Sequence, residues 1–255
     1  MAGSVTTTAR LNIRAGAPST AAPITARAEA GVVLTVSGLA RGELVRGNAD
    51  WFKSPNEEFF WAGGCSAFAP ITNGISAPSL SVRRRSNGTI RALLEAEIRA
   101  IFGDIHPAEG QGGRVILDAA WKASNIVQLA TPLLAHSGTD SLAVHAKARD
   151  PLARAFEAID DAGLGHLIIT CDGTFVARHK GWNAARSLSS HTWGIAIDLN
   201  ARWNGYGTEP APLGSVGSVR ELVPHFEAQG FAWGGYFQPL NICDGMHFEL
   251  ARTDL

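Results

Sequence analysis

Three side chains in this 255-residue chain have the types and spacing to hold a metal ion: His191, Asp198 and His247. The first two lie in Ser187-Leu-Ser-Ser-His191-Thr-Trp-Gly-Ile-Ala-Ile-Asp198-Leu-Asn, where Gly194 to Leu199 is otherwise an apolar strand. An ionised carboxylate in such a run costs several kcal/mol unless it is paired or bound to a metal. The third lies in Met246-His247-Phe248-Glu249-Leu250, whose alternation puts His247 and Glu249 on one face and the apolar residues on the other. Two imidazoles and a carboxylate suit one catalytic zinc: they leave a fourth position for water, whose pKa then falls to roughly 7. Other divalent ions accept the same donors. Asp244, three residues before His247 beside Gly245, is placed to take the proton of an attacking water.

The neighbouring residues have plainer readings. Ser189 suits a supporting hydrogen bond or a turn better than a nucleophile. Trp193 and Trp233 either wall a groove or fill the core. Glu249 either orients a ligand or merely pairs strands, and His179 is a further site candidate. His106, His136, His145, His166 and His225 have no expected metal role, and no His-Glu-x-x-His string occurs. Cys171 and Cys243 flank the motifs without the local features of an activated thiol.

Taken in order, Ser189-x-His191-x-x-Gly194-x-Ala196-x-Asp198, Gly230-Phe-Ala-Trp-Gly-Gly235 and Asp244-Gly-Met-His247-Phe-Glu249 resemble the zinc D-alanyl-D-alanine carboxypeptidase family. That family includes vancomycin-resistance peptidases and the L-alanyl-D-glutamate endopeptidases of phage lysins, and shares its fold with the hedgehog signalling domain. The resemblance spans roughly residues 87–255. It implies zinc ligation by His191, Asp198 and His247, and Asp244 as general base. An Asp at 244, where the carboxypeptidase branch usually has Glu, is similar to the endopeptidase branch. It also implies an oxyanion-stabilising arginine upstream. Arg178, in Asp172-Gly-Thr-Phe-Val-Ala-Arg178, is the better match and Arg186 the competitor. The implied substrate is the peptidoglycan stem peptide, cut at L-Ala–D-Glu or alternatively at D-Ala–D-Ala. A non-catalytic, zinc-containing wall-binding protein is the remaining alternative.

The elements that must carry these residues read as α+β. Residues 1–70 show short strand-like runs broken by Pro and Gly: Leu11-Asn-Ile-Arg, Val32-Val-Leu-Thr-Val, Trp51-Phe52 and Phe59-Phe60-Trp61. With the closing Trp-x-Gly they resemble a bacterial SH3-type domain, which implies cell-wall binding. Residues 71–86 read as a linker, and 87–255 as the peptidase domain. There, Thr89 to Phe102 follows a helical period and ends at Gly103. Asp150-Pro151 signals a second helix, Leu167-Ile-Ile-Thr a buried strand, and Ser218-x-x-Glu221 a capping box for a third helix that Pro224 should shorten. The absence of a βαβ rhythm favours α+β over a doubly wound sheet.

Composition narrows the rest. The net charge is -1, with 45% hydrophobic and 18% charged residues, so no global charge argues for nucleic acid or a membrane surface. The cluster Arg83-Arg84-Arg85 is too short to bind a polyanion. No run reaches the roughly 18 apolar residues of a spanning helix, and the first residues lack the pattern of a signal peptide. Synthesis in the cytoplasm and action on the wall, as in a phage or prophage lysin, is the expectation. Three widely spaced cysteines predict free thiols, with Cys171–Cys243 the alternative pairing.

Overall fold

Alternating apolar positions in the first residues produce strands, and the computed structural model, which describes residues 3–66, 68–70 and 80–255, arranges them in two antiparallel sheets. The chain divides into two units, Met1–Pro78 and Ser79–Leu255. In the first, β1 (Gly3–Thr6) lies between β4 (Val33–Val36) and β8 (Ala69–Pro70). The second sheet has the order β3 (Ile24–Ala28), β2 (Leu11–Ala15), β7 (Glu58–Trp61), β6 (Asn48–Lys53) and β5 (Gly38–Val45). Arg46 and Gly47, at φ 49° and 84°, close β5 onto β6 in the two-residue turn that matches strand twist. Val5, Leu11, Val36, Phe52 and Phe60 form the buried core of this unit. Trp51 is also buried, and its indole N–H donates to the Glu43 carbonyl at 3.0 Å. Most of these aromatics are therefore packing residues.

Of the expected linker, 71–79 lie outside the described residues. Residues 80–86 are instead tied into the second unit, through bridges Val82–Arg252 and Arg84–Ile90. The second unit is a mixture of helices and separate antiparallel sheets, which is compatible with α+β. Its central sheet runs β13 (Cys171–Gly173), β14 (Ala196–Leu199), β16 (His247–Leu250), β15 (Phe231–Trp233). Every residue of β14, β15 and β16 is buried. Phe248 of β16 stacks on Phe226 at 4.3 Å, and Phe226 meets Phe231 and Phe156 edge-on. Such ring pairs add about 0.5–1.5 kcal/mol each beyond the area they bury, which anchors the sheet from behind.

The helices differ from their sequence expectations in definable ways. α1 covers only Glu95–Phe102; Ile90 and Leu93 are buried from an extended segment, and Thr89 lies in a turn before it, where its N–H and hydroxyl donate to the Asn87 side-chain oxygen. The start is fixed by Glu97, which accepts the Leu94 N–H at 2.8 Å while ion-paired with Arg91. Gly103 ends it at φ 111°. β9 (Ala108–Glu109), β10 (Val115–Ile116), α2 (Ala119–Asn125), β11 (Ile126–Ala130) and β12 (Ser141–His145) follow. α3 (Ala146–Asp161) begins a turn earlier than Asp150-Pro151 signals, because the His145 ring caps it by accepting the Lys147 N–H. Leu167–Thr170 is not a strand. The Asn200 side chain accepts the Ile169 and Thr170 N–H groups at 2.7 and 3.0 Å, supplying what a neighbouring strand would have supplied. Ser218 and Glu221 bond to each other in a turn, and α4 (Val223–Glu227) starts after them with Pro224 in its first turn, where a missing N–H costs nothing. All three cysteines are free, so the alternative Cys171–Cys243 pairing does not form.

Candidate metal centre

Antiparallel pairing of β14 with β16 sets Asp198 opposite His247, and the one-turn helix Ser190–Trp193 delivers His191 to the same point. That helix can turn directly into β14 because Gly194 takes φ 71°, and an added Cβ would lie 2.9 Å from the His145 nitrogen. The three donor groups converge: His191 Nε2 is 3.1 Å from His247 Nδ1 and 3.1 Å from Asp198 Oδ2, and His247 Nδ1 is 2.9 Å from Asp198 Oδ1. All three residues are buried.

The outward ring nitrogens are also engaged. His191 Nδ1 faces the Thr174 carbonyl at 2.9 Å, an acceptor, so Nδ1 carries the proton and Nε2 presents a lone pair. His247 Nε2 faces Glu249 Oε2 at 3.3 Å and Ser190 Oγ at 3.2 Å, which leaves Nδ1 facing inward as the second lone pair. Two imidazole lone pairs and a carboxylate aimed at one another repel unless a cation sits between them. Ligands about 2.0–2.1 Å from a tetrahedral ion stand about 3.3 Å apart, close to the separations seen. The donor set therefore fits a divalent metal, and among the described residues these three form the cluster able to hold one.

Electrostatics agree with the geometry. Burial pushes the Asp198 carboxyl up, but the charges of His191 and His247 and their hydrogen bonds outweigh it and hold it well below the usual carboxylate range. Burial opposes the charged form of His247, yet its bonds to Asp198 and Glu249 raise its pKa well above the ordinary value. Both shifts describe a pocket that attracts positive charge. Burial pushes Asp244 up to about 6, with the pull of His247 against it and the like charge of Asp198 adding to it. Asp244 Oδ1 is buried without a hydrogen-bond partner among the described residues, a cost that a water or substrate group in the cleft would relieve.

Gly234 sets the distance between Asp244 and His247. An added Cβ there would lie 2.4 Å from the Asp244 carbonyl oxygen and 3.2 Å from His247 Cβ, and the Gly234 carbonyl accepts the Asp244 N–H at 3.0 Å. His191, His247, Asp244 and Glu249 open onto a cleft of about 570 Å³, which Arg178 and Arg186 also line. Arg178 is tied through its main chain to Thr192 and Ser189, and its guanidinium lies 5.2 Å from the Trp182 ring. It makes no ion pair with a carboxylate among the described residues.

Several residues fall elsewhere than the cleft or were not legible beforehand. Trp193 and Trp233 are core residues, 0% and 1% exposed, with indole N–H groups donating to the Gly103 and Gly245 carbonyls. His179 is buried behind the cleft, between the Arg186 carbonyl and Glu109. Ser189 does line the cleft, and its backbone bonds at the start of the turn helix make it a supporting residue. The sequence reasoning missed Ser190, the Thr174 carbonyl and Trp182. Ser190 adjoins a ligand and could have been suspected. A carbonyl partner leaves no trace in residue type. Trp182, at φ 57° and 46% exposed, shows itself only by its backbone.

No curated protein and no solved structure matches the chain. Residues 182–250 match the family described as D-alanyl-D-alanine carboxypeptidase. That stretch contains His191, Asp198, Asp244 and His247, whereas Arg178 lies just outside it. The match supports reading the second unit as a hydrolase similar to cell-wall peptidases, with a His/Asp/His cluster suited to a metal.

Proposed function

We infer that this chain is a zinc-dependent peptidoglycan peptidase, and that it cuts the L-Ala–D-Glu bond of the stem peptide. The observation that carries the hydrolase reading is a buried acid with one unpartnered oxygen, Asp244, opening onto the same cleft as three converging metal donors. His191, Asp198 and His247 would hold one zinc, which when bound supplies Lewis-acid polarisation and a more acidic water. Asp244 takes the proton of the attacking water and returns it to the leaving amine. Arg178, which forms no ion pair among the described residues, donates to the carbonyl oxygen as negative charge grows there. Thr174 and Glu249 keep both imidazoles in the tautomers that ligation needs.

The aspartate at 244 supports the endopeptidase assignment. The matched family's description supports D-Ala–D-Ala carboxypeptidase action as the second reading. The β-rich first unit we assign as an SH3-like domain that binds the wall, in a protein of the phage or prophage lysin type. Muropeptides released from purified walls, with and without chelator, test the function by mass spectrometry. New N-terminal D-Glu is expected, and loss of a terminal D-Ala would replace the endopeptidase reading by the carboxypeptidase one. Asp244→Ala should keep its zinc while hydrolysis falls about 10²–10⁴-fold. Unchanged hydrolysis would overturn the base assignment.

A further inference from the structure

Arg178 faces the cleft with little to hold its guanidinium by hydrogen bonding: one weak bond from Nη1 to the His179 carbonyl at 3.4 Å, and no ion pair among the described residues. A long side chain tied so loosely samples several rotamers, and ordering it costs entropy. Its backbone, by contrast, is fixed. The Arg178 N–H donates to Thr192 Oγ1 at 3.1 Å, and its carbonyl accepts the Ser189 N–H at 3.0 Å. Arg178 also faces Arg114 across an antiparallel bridge. Like charges set opposite each other repel, so this pairing needs a group that attracts both.

The indole of Trp182 is that group. The Arg114 and Arg178 guanidiniums lie 5.0 and 5.2 Å from its ring centre, both within the range of cation–π attraction. The backbone that delivers the ring is strained: Trp182 takes φ 57°, which a bulky residue adopts only under constraint, directly after Gly181 at φ 62°. Gly113 supplies the close approach, since an added Cβ there would lie 2.3 Å from the Trp182 carbonyl carbon, and the Trp182 N–H donates to the His179 carbonyl at 3.1 Å. Trp182 stays 46% exposed, so burial of the ring does not account for the strain. A carboxylate in its place would grip Arg178 harder, but would occupy its fork of donors and cancel its charge. An indole has no acceptor to engage the fork and leaves the charge intact.

We propose that Trp182 is a positioning residue, an aromatic clamp that holds the Arg178 guanidinium at the cleft with its charge and donors free. The proposal rests on the peptidase reading for what Arg178 does in turnover, but not for the clamp itself. Trp182→Asn removes the ring and suits the left-handed backbone, so circular dichroism and zinc affinity should match wild type. With zinc-loaded enzyme and a synthetic stem peptide, its kcat should fall about 3–30-fold while KM changes little. Trp182→Phe, which keeps a ring face, should recover most of that loss. In an Arg178→Gln background, Trp182→Asn should cost nothing further. The Nε–H resonance of Arg178, assigned by its disappearance in Arg178→Gln, reads the clamp without turnover: the ring should shift it upfield, and Trp182→Asn should abolish the shift. If the wild type cleaves nothing yet shows this ring-dependent shift, the peptidase reading fails and the clamp stands. A wild-type resonance without the shift overturns the clamp whatever the variants do. So does a loss confined to KM, which would make the ring a substrate wall, a further loss in the Arg178→Gln background, or a Trp182→Asn chain that unfolds.

Discussion

Glu249 gives the sharpest test of the metal centre, because its carboxylate faces the His247 ring nitrogen that points away from the other two metal donors. Its carboxylate is buried on β16 and lies 3.3 Å from His247 Nε2, and burial, which raises its pKa, is outweighed by the bond and charge of His247 together with the Ser190 bond and the Lys180 charge. Replacing it with alanine leaves a buried imidazole N–H whose remaining partner is Ser190 Oγ at 3.2 Å. The ring loses the charge that makes Nδ1 a stronger donor and the acceptor that fixes its tautomer. Partners of this kind are worth about 10–100-fold in metal affinity, or about 1.4–2.7 kcal/mol. Because Ser190 remains, Glu249→Ala should fall inside that range, Glu249→Gln should lose less, and Glu249→Ala with Ser190→Ala should lose most. Zinc competition against a fluorescent chelator measures all three, with far-ultraviolet circular dichroism confirming the fold. A Glu249→Ala chain that binds zinc within threefold of wild type would refute the argument.

Two further outcomes follow from packing and burial. Gly234→Ala forces a methyl to 2.4 Å from the Asp244 carbonyl, so denaturant unfolding should show a loss of about 1–3 kcal/mol, and zinc affinity should fall with it; equal stability would mean the close approach is not required. Burial lowers the pKa of His145, with repulsion by Lys147 adding to it and the Phe102 carbonyl opposing. Below the unfolded value of about 6.5 the unfolded chain binds the proton more readily, so this contribution is complete above about pH 6.5 and is lost as pH falls. The metal-free wild type should therefore lose more thermal stability between pH 7.5 and 5.5 than His145→Gln, and parallel curves would count against it.

Much of the site was legible in the sequence because it is built on a strand pair. Period-two alternation in 246–250 set His247 and Glu249 on one face, and an acid in the apolar run 194–199 required a partner. Helix limits were less legible, since α1 and α3 start where Glu97 and the His145 ring satisfy free backbone groups, and those contacts depend on the folded chain. The strand expected at Leu167–Thr170 was displaced by one distant side chain, Asn200. Residue types and spacing alone determined which donors are present, their order and the chemistry open to them. Tertiary structure decided what spacing cannot encode: β14 against β16 brings Asp198 to His247 across 49 residues, and Thr174 selects the His191 tautomer through a carbonyl. It also gathers Arg85, Arg178, Lys180 and Arg186 into one cleft of a chain with almost no net charge, because field strength at a site depends on distances in space, not on composition.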